Sequence, residues 1–326
     1  MKGLFQYKGR KTFFLTLIKN HRFKYIFIFL LIIFFEFLSS SFTGREIESK
    51  TKYIFSFWES RYSLPGYIKL CIKTWKKFLA NNYKIIILDY NNLSKYLDKK
   101  IIDKILLKHM ALSFQADAIR VAILRKFGGI WMDCDTIITN SECMNMFNGS
   151  DLLMFGISKK KHPHIGFIYS SNNSTILKYW LDGIFKRIRI YKIKLLLKHI
   201  FPIKCFIKSF EKLLTWDYLG NGILNEIIKN TSEKDFKMIK REDAYIFPEL
   251  FFFKGTESKS YKDFYFTSGD PLPVLKKCKG VLILHNSWTP EIYKKMSEEE
   301  FLSQDIMLSR LFSILLNNDS KVQFGY

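Results

Sequence analysis

Apolar and polar positions change period repeatedly between Thr51 and Ser287, and the changes predict alternating strands and helices. Tyr53–Phe57 (YIFSF) and Lys84–Leu88 (KIIIL) are short apolar runs of strand character. Between them Pro65-Gly66 opens a stretch whose Ile68, Ile72, Trp75 and Leu79 recur at helical spacing. A strand–helix–strand unit of this kind implies a parallel pair in a sheet covered on both faces. Asp89–Asn92 is a turn-forming cluster, and Leu93–Met110 reads as a helix or a pair of them. Ser113–Phe127 (SFQADAIRVAILRKF) is a helix with an apolar stripe at Ala118, Val121, Ala122 and Leu124, stopped by Gly128-Gly129. Ile130–Met132 is the next strand and enters Asp133-Cys134-Asp135. Leu152–Gly156 and Ile165–Ser170 follow as strands, Thr175–Ile190 and Trp216–Lys229 as helices, Val281–Leu284 as a last strand, and Glu298–Leu316 as an amphipathic closing helix. The expected fold class is α/β, a mixed and mostly parallel sheet with flanking helices, in one domain over residues 51–326.

Two stretches stand apart from this alternation. Tyr25–Phe35 is wholly apolar, and the window of about residues 23–42 approaches the ~20 residues of a membrane span at the expense of Glu36 and three serines. Seven cations and no acid precede it in Met1–Lys24, so residues 1–50 read as a basic region with a membrane segment. If the segment spans, the charge rule keeps the N-terminus cytoplasmic and sends the rest across. If it lies in the interface, the whole chain stays on one side. The second stretch, about residues 184–214, interleaves nine cations with Ile, Leu and Phe around Pro202, against the single acid Glu211. It reads as a basic amphipathic helical insertion suited to an anionic membrane surface. Lysines and aliphatics dominate it, which speaks against nucleic acid as a partner.

Composition adds to this picture only where charge and cysteines are concerned. The net charge of the 326 residues is +22, and those two stretches carry +7 and +8 of it. With 48% apolar and 17% aromatic residues a disordered chain is excluded. Cys71, Cys134, Cys143, Cys205 and Cys278 are odd in number and contain no C-x-x-C, which excludes a disulfide scaffold and a thiolate zinc site and predicts reduced thiols.

The candidate chemistry sits at the end of the Ile130–Met132 strand. Asp133 and Asp135, two apart in an extended chain, would face one way where a parallel strand ends, the usual place for a ligand in an open α/β sheet. Two such carboxylates repel unless one is protonated or a divalent cation, Mn²⁺ or Mg²⁺, lies between them and takes diphosphate oxygens on its other side. Their context runs Ala116-Asp117-Ala118-Ile119-Arg120-Val121, then Lys126-Phe127-Gly128-Gly129-Ile130-Trp131-Met132-Asp133-Cys134-Asp135. It resembles the DXD-containing sugar-binding region of glycosyltransferase family 32, especially the bacterial capsular polysaccharide synthesis proteins. Ser56-Phe57-Trp58, Cys71–Trp75 and His285-Asn286-Ser287-Trp288 extend the likeness over Thr51–Trp288. Gly220-Asn221-Gly222 stands where a Gly-Pro pair is often found and is assigned no role.

The resemblance implies a GT-A-like fold and transfer of a sugar from a nucleoside diphosphate sugar, uridine diphosphate first among carriers, to a glycan or lipid-linked acceptor in capsule synthesis, with retention at the anomeric carbon. It implies Asp133 and Asp135 as catalytic residues and metal ligands, Asp135 directly and Asp133 through the sugar or a metal-bound water, with His285 as a third ligand. Asp117 and Arg120 would reach the donor sugar and diphosphate, Trp58 would stack on the base, and Ser287 with Trp288 would contact the β-phosphate. Each has a structural alternative: a surface ion pair for Asp117 and Arg120, core packing for Trp58 and Trp288, a hydrogen-bonded buried imidazole for His285. His162 and His164 read as a loop. The competing readings are a phosphatase of the haloacid dehalogenase type, which Ile137 fits poorly, and a membrane-tethered polyanion-binding protein. Localisation follows the capsular likeness: a bacterial inner membrane with a cytoplasmic catalytic domain, or else a lumenal Golgi domain of single-pass type II topology.

Overall fold

A computed structural model of the chain describes residues 52–107, 110–142, 144, 152–157, 162–200, 217–229, 237–240, 257–278 and 280–317. The window at residues 23–42 lies outside them. Among the described residues no helix is long and apolar enough to cross a membrane.

The chain opens with β1 (Tyr53–Phe57), α1 (Gly66–Leu79) and β2 (Lys84–Leu88), and β1 pairs with β2 in parallel, as the strand–helix–strand pattern requires. A 3₁₀ turn and α2 (Lys99–Ile105) lead to α3 (Leu112–Phe127) and β3 (Gly129–Met132), which pairs in parallel with the other edge of β1. Gly128 and Gly129 make the sharp exit from α3 with φ of 63° and 93°. A Cβ on Gly128 would lie 2.8 Å from the Asn172 nitrogen, and one on Gly129 would lie 2.6 Å from the Tyr53 oxygen, so only glycine fits both the angle and the space.

After β3 the chain leaves the main sheet. β4 (Thr136–Ile138) pairs antiparallel with β8 (Val281–Ile283) in a separate two-stranded sheet. β5 (Leu152–Ile157) and β6 (His162–Ser170) return to the main sheet, which β7 (Lys237–Lys240) completes beside β5 in the order β2-β1-β3-β6-β5-β7. The β3–β6 and β5–β6 pairs are antiparallel and the others parallel, so the sheet is mixed and mostly parallel. His162 and His164 belong to β6, not to a loop: both pair with β5, beyond an irregularity between Met154 and Phe155 that shifts the register.

The pleat divides the core into two layers. Ile54, Ile130, Met132, Leu153 and Phe167 face one layer with α1, β4 and β8. It also holds α6 (Glu257–Tyr265), α7 (Leu272–Lys277) and the C-terminal helices. Phe55, Phe57, Trp131, Leu152, Met154 and Ile168 face the other, with α2, α3, α4 (Thr175–Ile200) and α5 (Asn221–Ile228). The basic stretch from Ile184 continues the helix begun at Thr175, and residues 201–216 lie outside the described set. Ile176, Leu177, Trp180, Ile184, Ile188 and Tyr191 form its buried stripe. Arg187 is not spare charge on that helix. It donates to the Tyr218 oxygen at 2.5 Å and, through Nη2, to the Gly222 oxygen at 2.9 Å and Glu226 Oε1 at 2.8 Å.

The C-terminus departs from the single helix expected over Glu298–Leu316. A short helix α8 (Glu291–Lys294) is followed by α9 (Glu298–Leu302), with a capping box between Ser297 and Glu300, and by α10 (Met307–Asn317). The chain bends at Ser303–Ile306, where the Met307 N–H donates to the Thr267 oxygen at 2.7 Å. The start of α1 lies directly on this region. A Cβ on Gly66 would stand 2.5 Å from the Ser297 backbone carbon and oxygen, and the Gly66 N–H donates to the Met296 oxygen at 3.1 Å. Gly66→Ala therefore forces two backbones apart and should lower unfolding free energy by about 1–3 kcal/mol in urea titrations.

Candidate active site

The Asp133–Asp135 segment is a turn where an extended chain was expected. The Thr136 N–H donates to the Asp133 oxygen at 3.0 Å, so the chain reverses between the end of β3 and the start of β4. It turns because its two flanks belong to different sheets. The Asp133 N–H donates to the Gly166 oxygen on β6 at 2.7 Å, continuing the main sheet, while the Leu284 N–H beyond β8 donates to the Asp135 oxygen at 2.9 Å. From behind, Trp75 Nε1 donates to the Thr136 oxygen at 2.6 Å, and the Ile138 N–H donates to Thr74 Oγ1 at 3.0 Å, so α1 locks the exit strand. Cys134 points inward, its Sγ 3.0 Å from Ser56 Oγ and 3.8 Å from the Phe57 oxygen. That contact sets the turn beside the end of β1 and therefore beside Trp58, which is partly buried against the first core layer.

Asp133 is held through one oxygen. Its Oδ1 accepts from Arg120 Nη2 at 2.9 Å and from Trp131 Nε1 at 2.8 Å, while Oδ2 receives no hydrogen bond from the described residues. The Arg120 guanidinium lies 5.1 Å from the centre of the Trp131 ring and its Nη1 is 3.3 Å from Asp117 Oδ1. Arg120 is only 4% exposed. In this arrangement the Asp117–Arg120 pair is no surface bridge: the guanidinium is buried between two carboxylates, and only its Nη2 makes a hydrogen bond, to Asp133. Trp131, which the sequence offered only as a strand residue, orients the same oxygen.

Asp135 faces the C-terminal segment. Its Oδ2 accepts from the Asn286 N–H at 2.8 Å, and the Asn286 side chain is fixed in turn by the Tyr67 hydroxyl at 2.5 Å. The structure thus brings the residues after β8 to the aspartate pair, 150 residues away in sequence. The His285 and Trp288 rings lie with centroids 4.3 Å apart, tilted at 48° to one another, and Tyr261 meets them edge-on at 5.9 and 5.7 Å. The Tyr261 hydroxyl also accepts from the His285 N–H at 3.1 Å. Ser287 is exposed.

Electrostatics make this corner short of positive charge. Asp117, Asp133 and Asp135 face one guanidinium, and Arg120 is their one cationic partner among the described residues. Burial first, and then the charge of Asp133, push the Asp135 carboxyl up to about 7, against the pull of the Asn286 N–H and of Arg120. Burial likewise raises Asp117 to about 7, with Arg120 opposing and Asp133 adding. Among the described residues no three His, Cys, Asp or Glu side chains converge as a ready-made metal cluster. The free Oδ2 of Asp133 and the surplus of negative charge fit a divalent cation that takes its remaining ligands from a diphosphate.

Sequence reasoning missed Gly220, the residue before α5. A Cβ there would lie 2.6 Å from Asp117 Oδ2 and 2.7 Å from Ile165 Cδ1, so the glycine backbone seals the buried end of the Asp117–Arg120 pair. The departure from a Gly-Pro pair at Asn221 masked that signal. Among the described residues Cys71, Cys134 and Cys278 are buried free thiols, as expected, and burial raises each.

Compared with known families, residues 33–208 match the model described as capsular polysaccharide synthesis protein. The match takes in Trp58, Asp117, Arg120 and the Asp133–Asp135 turn, and stops short of His285–Trp288. No curated protein matches the chain. Among solved structures the chain is similar to a PaToxG glycosyltransferase, with a TM-score of 0.36 and 12% identity, over 82% of this chain and 87% of that one. It is similar also to the glycosyltransferase GlyE of Streptococcus pneumoniae TIGR4, with the same score and identity, over 82% of this chain and 63% of that one. This chain therefore spans less than two thirds of GlyE's length.

Proposed function

The chain belongs to the capsular polysaccharide synthesis protein family, and from that premise we propose that it is a metal-dependent glycosyltransferase moving a sugar from a nucleoside diphosphate sugar to a glycan or lipid-linked acceptor. The observation that carries the metal reading is the three carboxylates set against a single guanidinium at the end of β3. Asp133 and Asp135 would hold Mn²⁺ or Mg²⁺, with His285 the imidazole donor on the β8 side. The ion would supply the charge that stabilises a departing diphosphate. The chain's own residues do the positioning. Arg120 and Trp131 fix Asp133 so that Oδ2 is the edge presented to a ligand, and Asn286 fixes Asp135. Trp58 stands at the end of β1 to stack on the base, and exposed Ser287, with Trp288 beside it, offers contacts to the β-phosphate. Same-face transfer with retention is the stereochemistry we assign.

Three outcomes separate the readings. Incubating the protein with Mn²⁺ and a panel of uridine diphosphate sugars should release nucleoside diphosphate. Release of inorganic phosphate would make it a phosphatase, and no turnover with tight polyanion binding would make it a tether. For localisation we propose a bacterial inner membrane with the domain on its cytoplasmic side, where the exposed lysines of α4 would face anionic lipid.

Metal binding should depend steeply on pH. Asp135 keeps its proton up to about 7 in the metal-free state, and the ion must displace it. Mn²⁺ affinity should therefore fall by up to about tenfold per pH unit below 7 and level off above it. Calorimetric titration at pH 6 and pH 8 measures this, and equal affinities would remove Asp135 from the ligand set.

A further inference from the structure

We propose that Arg61 is a positioning residue of the donor site: it latches the loop after β1 to the end of β2 and so holds Trp58 ready as a platform for the nucleobase. The inference rests on the donor-binding reading above, which uses Trp58 but not the loop that carries it. Residues 58–65 connect β1 to α1. The loop is tied to the end of β2 residue by residue. The Trp58 N–H donates to the Leu88 oxygen at 2.9 Å, and Glu59 Oε2 accepts from the Tyr90 N–H at 3.0 Å. Arg61 Nε then lies 3.2 Å from Asp89 Oδ2.

This last tie is charged and buried, which makes it the strong one. The Asp89 carboxylate is fully buried, and its Oδ1 accepts from the Asn92 N–H at 2.9 Å while its own N–H donates to Asn92 Oδ1 at 2.9 Å. That exchange closes the turn after β2 and leaves Oδ2 over. Oδ2 and Arg61 Nε are both shut off from solvent without a hydrogen bond, so they meet as ions, and Arg61 is the one cationic partner of Asp89 among the described residues. A buried carboxylate that loses its cation is left uncompensated, so the loop is drawn to the one place where Arg61 reaches it. The far end of the guanidinium is steadied by the loop itself: Nη2 donates to the Tyr62 hydroxyl at 2.6 Å and the group lies 4.8 Å from the centre of that ring. Beyond Trp58 the loop has little core to rest on, since Tyr62 is 74% exposed and Ser60–Ser63 is a surface turn. A ring held in place before the base arrives binds it more tightly than one that must be ordered on binding. The aspartate corner does not depend on this latch, because Arg120, Trp131 and Asn286 hold it.

Calorimetric titration of the full chain in the presence of Mn²⁺ tests this, with uridine diphosphate and inorganic pyrophosphate as the two probes. Arg61→Met, apolar and of similar reach, should weaken uridine diphosphate by about tenfold, the scale of a lost base–aromatic stack, and leave pyrophosphate within about twofold. Arg61→Gln carries an amide nitrogen to the Nε position and should recover most of the affinity. Trp58→Ala should show the same loss of uridine diphosphate, and adding Arg61→Met to it should cost less than a further twofold, because the arginine acts through the tryptophan. Losses that multiply in the double variant overturn the proposal. So does an equal loss of pyrophosphate, or an Arg61→Met chain that binds uridine diphosphate as the parent does. If the parent binds no uridine diphosphate, or Trp58→Ala binds it unchanged, the donor reading of Trp58 itself falls and this one with it. Should melting curves show Arg61→Met unfolded, Arg61→Met/Asp89→Asn leaves no buried charge unpaired and carries the same expectations.

Discussion

Asp135→Asn should abolish sugar transfer while leaving the folded chain at least as stable as the parent at pH 8. The carboxamide keeps an oxygen where Oδ2 accepts the Asn286 N–H, so the link between the β3–β4 turn and the segment after β8 survives. What disappears is the ionisable group. The folded state holds the Asp135 proton up to about 7, far above an ordinary aspartate, so the parent loses stability as pH rises from about 4 to about 7 and the loss is complete above that. The Asn variant has no such loss, which is why its advantage should be present at pH 8 and vanish near pH 4. Catalysis moves the other way. A charge aimed at the departing group in a water-poor site is worth at least about 10²–10³ in rate, and the neutral amide neither supplies it nor holds a dication. Turnover within a factor of two of the parent, in a variant shown by melting curves to be folded, would remove Asp135 from the reaction.

How much of this was legible in the sequence depends on whether a feature is local. β1 and β2 begin and end where the apolar runs Tyr53–Phe57 and Lys84–Leu88 do, because both faces of those strands are covered. The helix before Gly128-Gly129 was equally plain, since its stop is written in two adjacent residues. Pairing partners were not legible. Nothing around His162–Ser170 says that it runs antiparallel to both neighbours, and the apolar run begins only at Ile165 although the strand begins at His162. β7 is four residues, Lys-Met-Ile-Lys, without a run to notice. Glu298–Leu316 looked like one helix because Phe301, Leu308, Leu311, Phe312 and Leu315 keep a helical rhythm across a bend that the Thr267 oxygen stabilises from elsewhere in the chain. The site shows the same division. The aspartates and their flanking helix were visible as a motif, but a motif does not say which way Arg120 points. Its inward course follows from Trp131 and Asp117 sharing one side of α3 and β3, and Gly220 closes that space from more than 80 residues downstream.

Arg120→Met should be the most destabilising single change at the site, costing about 3–5 kcal/mol at pH 8 and eliminating transfer. The guanidinium compensates Asp117, whose pair with it is buried on both sides at 5% and 10% side-chain exposure. Its bond to Asp133 is more open and contributes less, since solvent screens a carboxylate that is 38% exposed. Methionine fills the space over Trp131 but leaves two carboxylates without a counter-charge, one of them sealed beneath Gly220. Without Arg120, which pulls the Asp117 carboxyl down, burial holds that proton to still higher pH. The penalty should therefore grow as pH rises past about 7, where the parent has released the Asp117 proton and the variant has not, and urea unfolding at pH 5 and pH 8 should show a smaller loss at the lower value. Arg120→Lys keeps the charge but not the fork that serves Asp117 and Asp133 together, so it should recover part of the stability and little of the rate. The double variant Asp117→Asn/Arg120→Met separates the two functions of the arginine. Removing the buried carboxylate as well should return much of the lost stability, because the uncompensated charge is gone. Transfer should stay absent, because Asp133 Oδ1 then has only Trp131 to hold it and Oδ2 is no longer set toward the donor. A double variant that regains transfer along with its fold would show that Arg120 merely neutralises Asp117 and orients nothing.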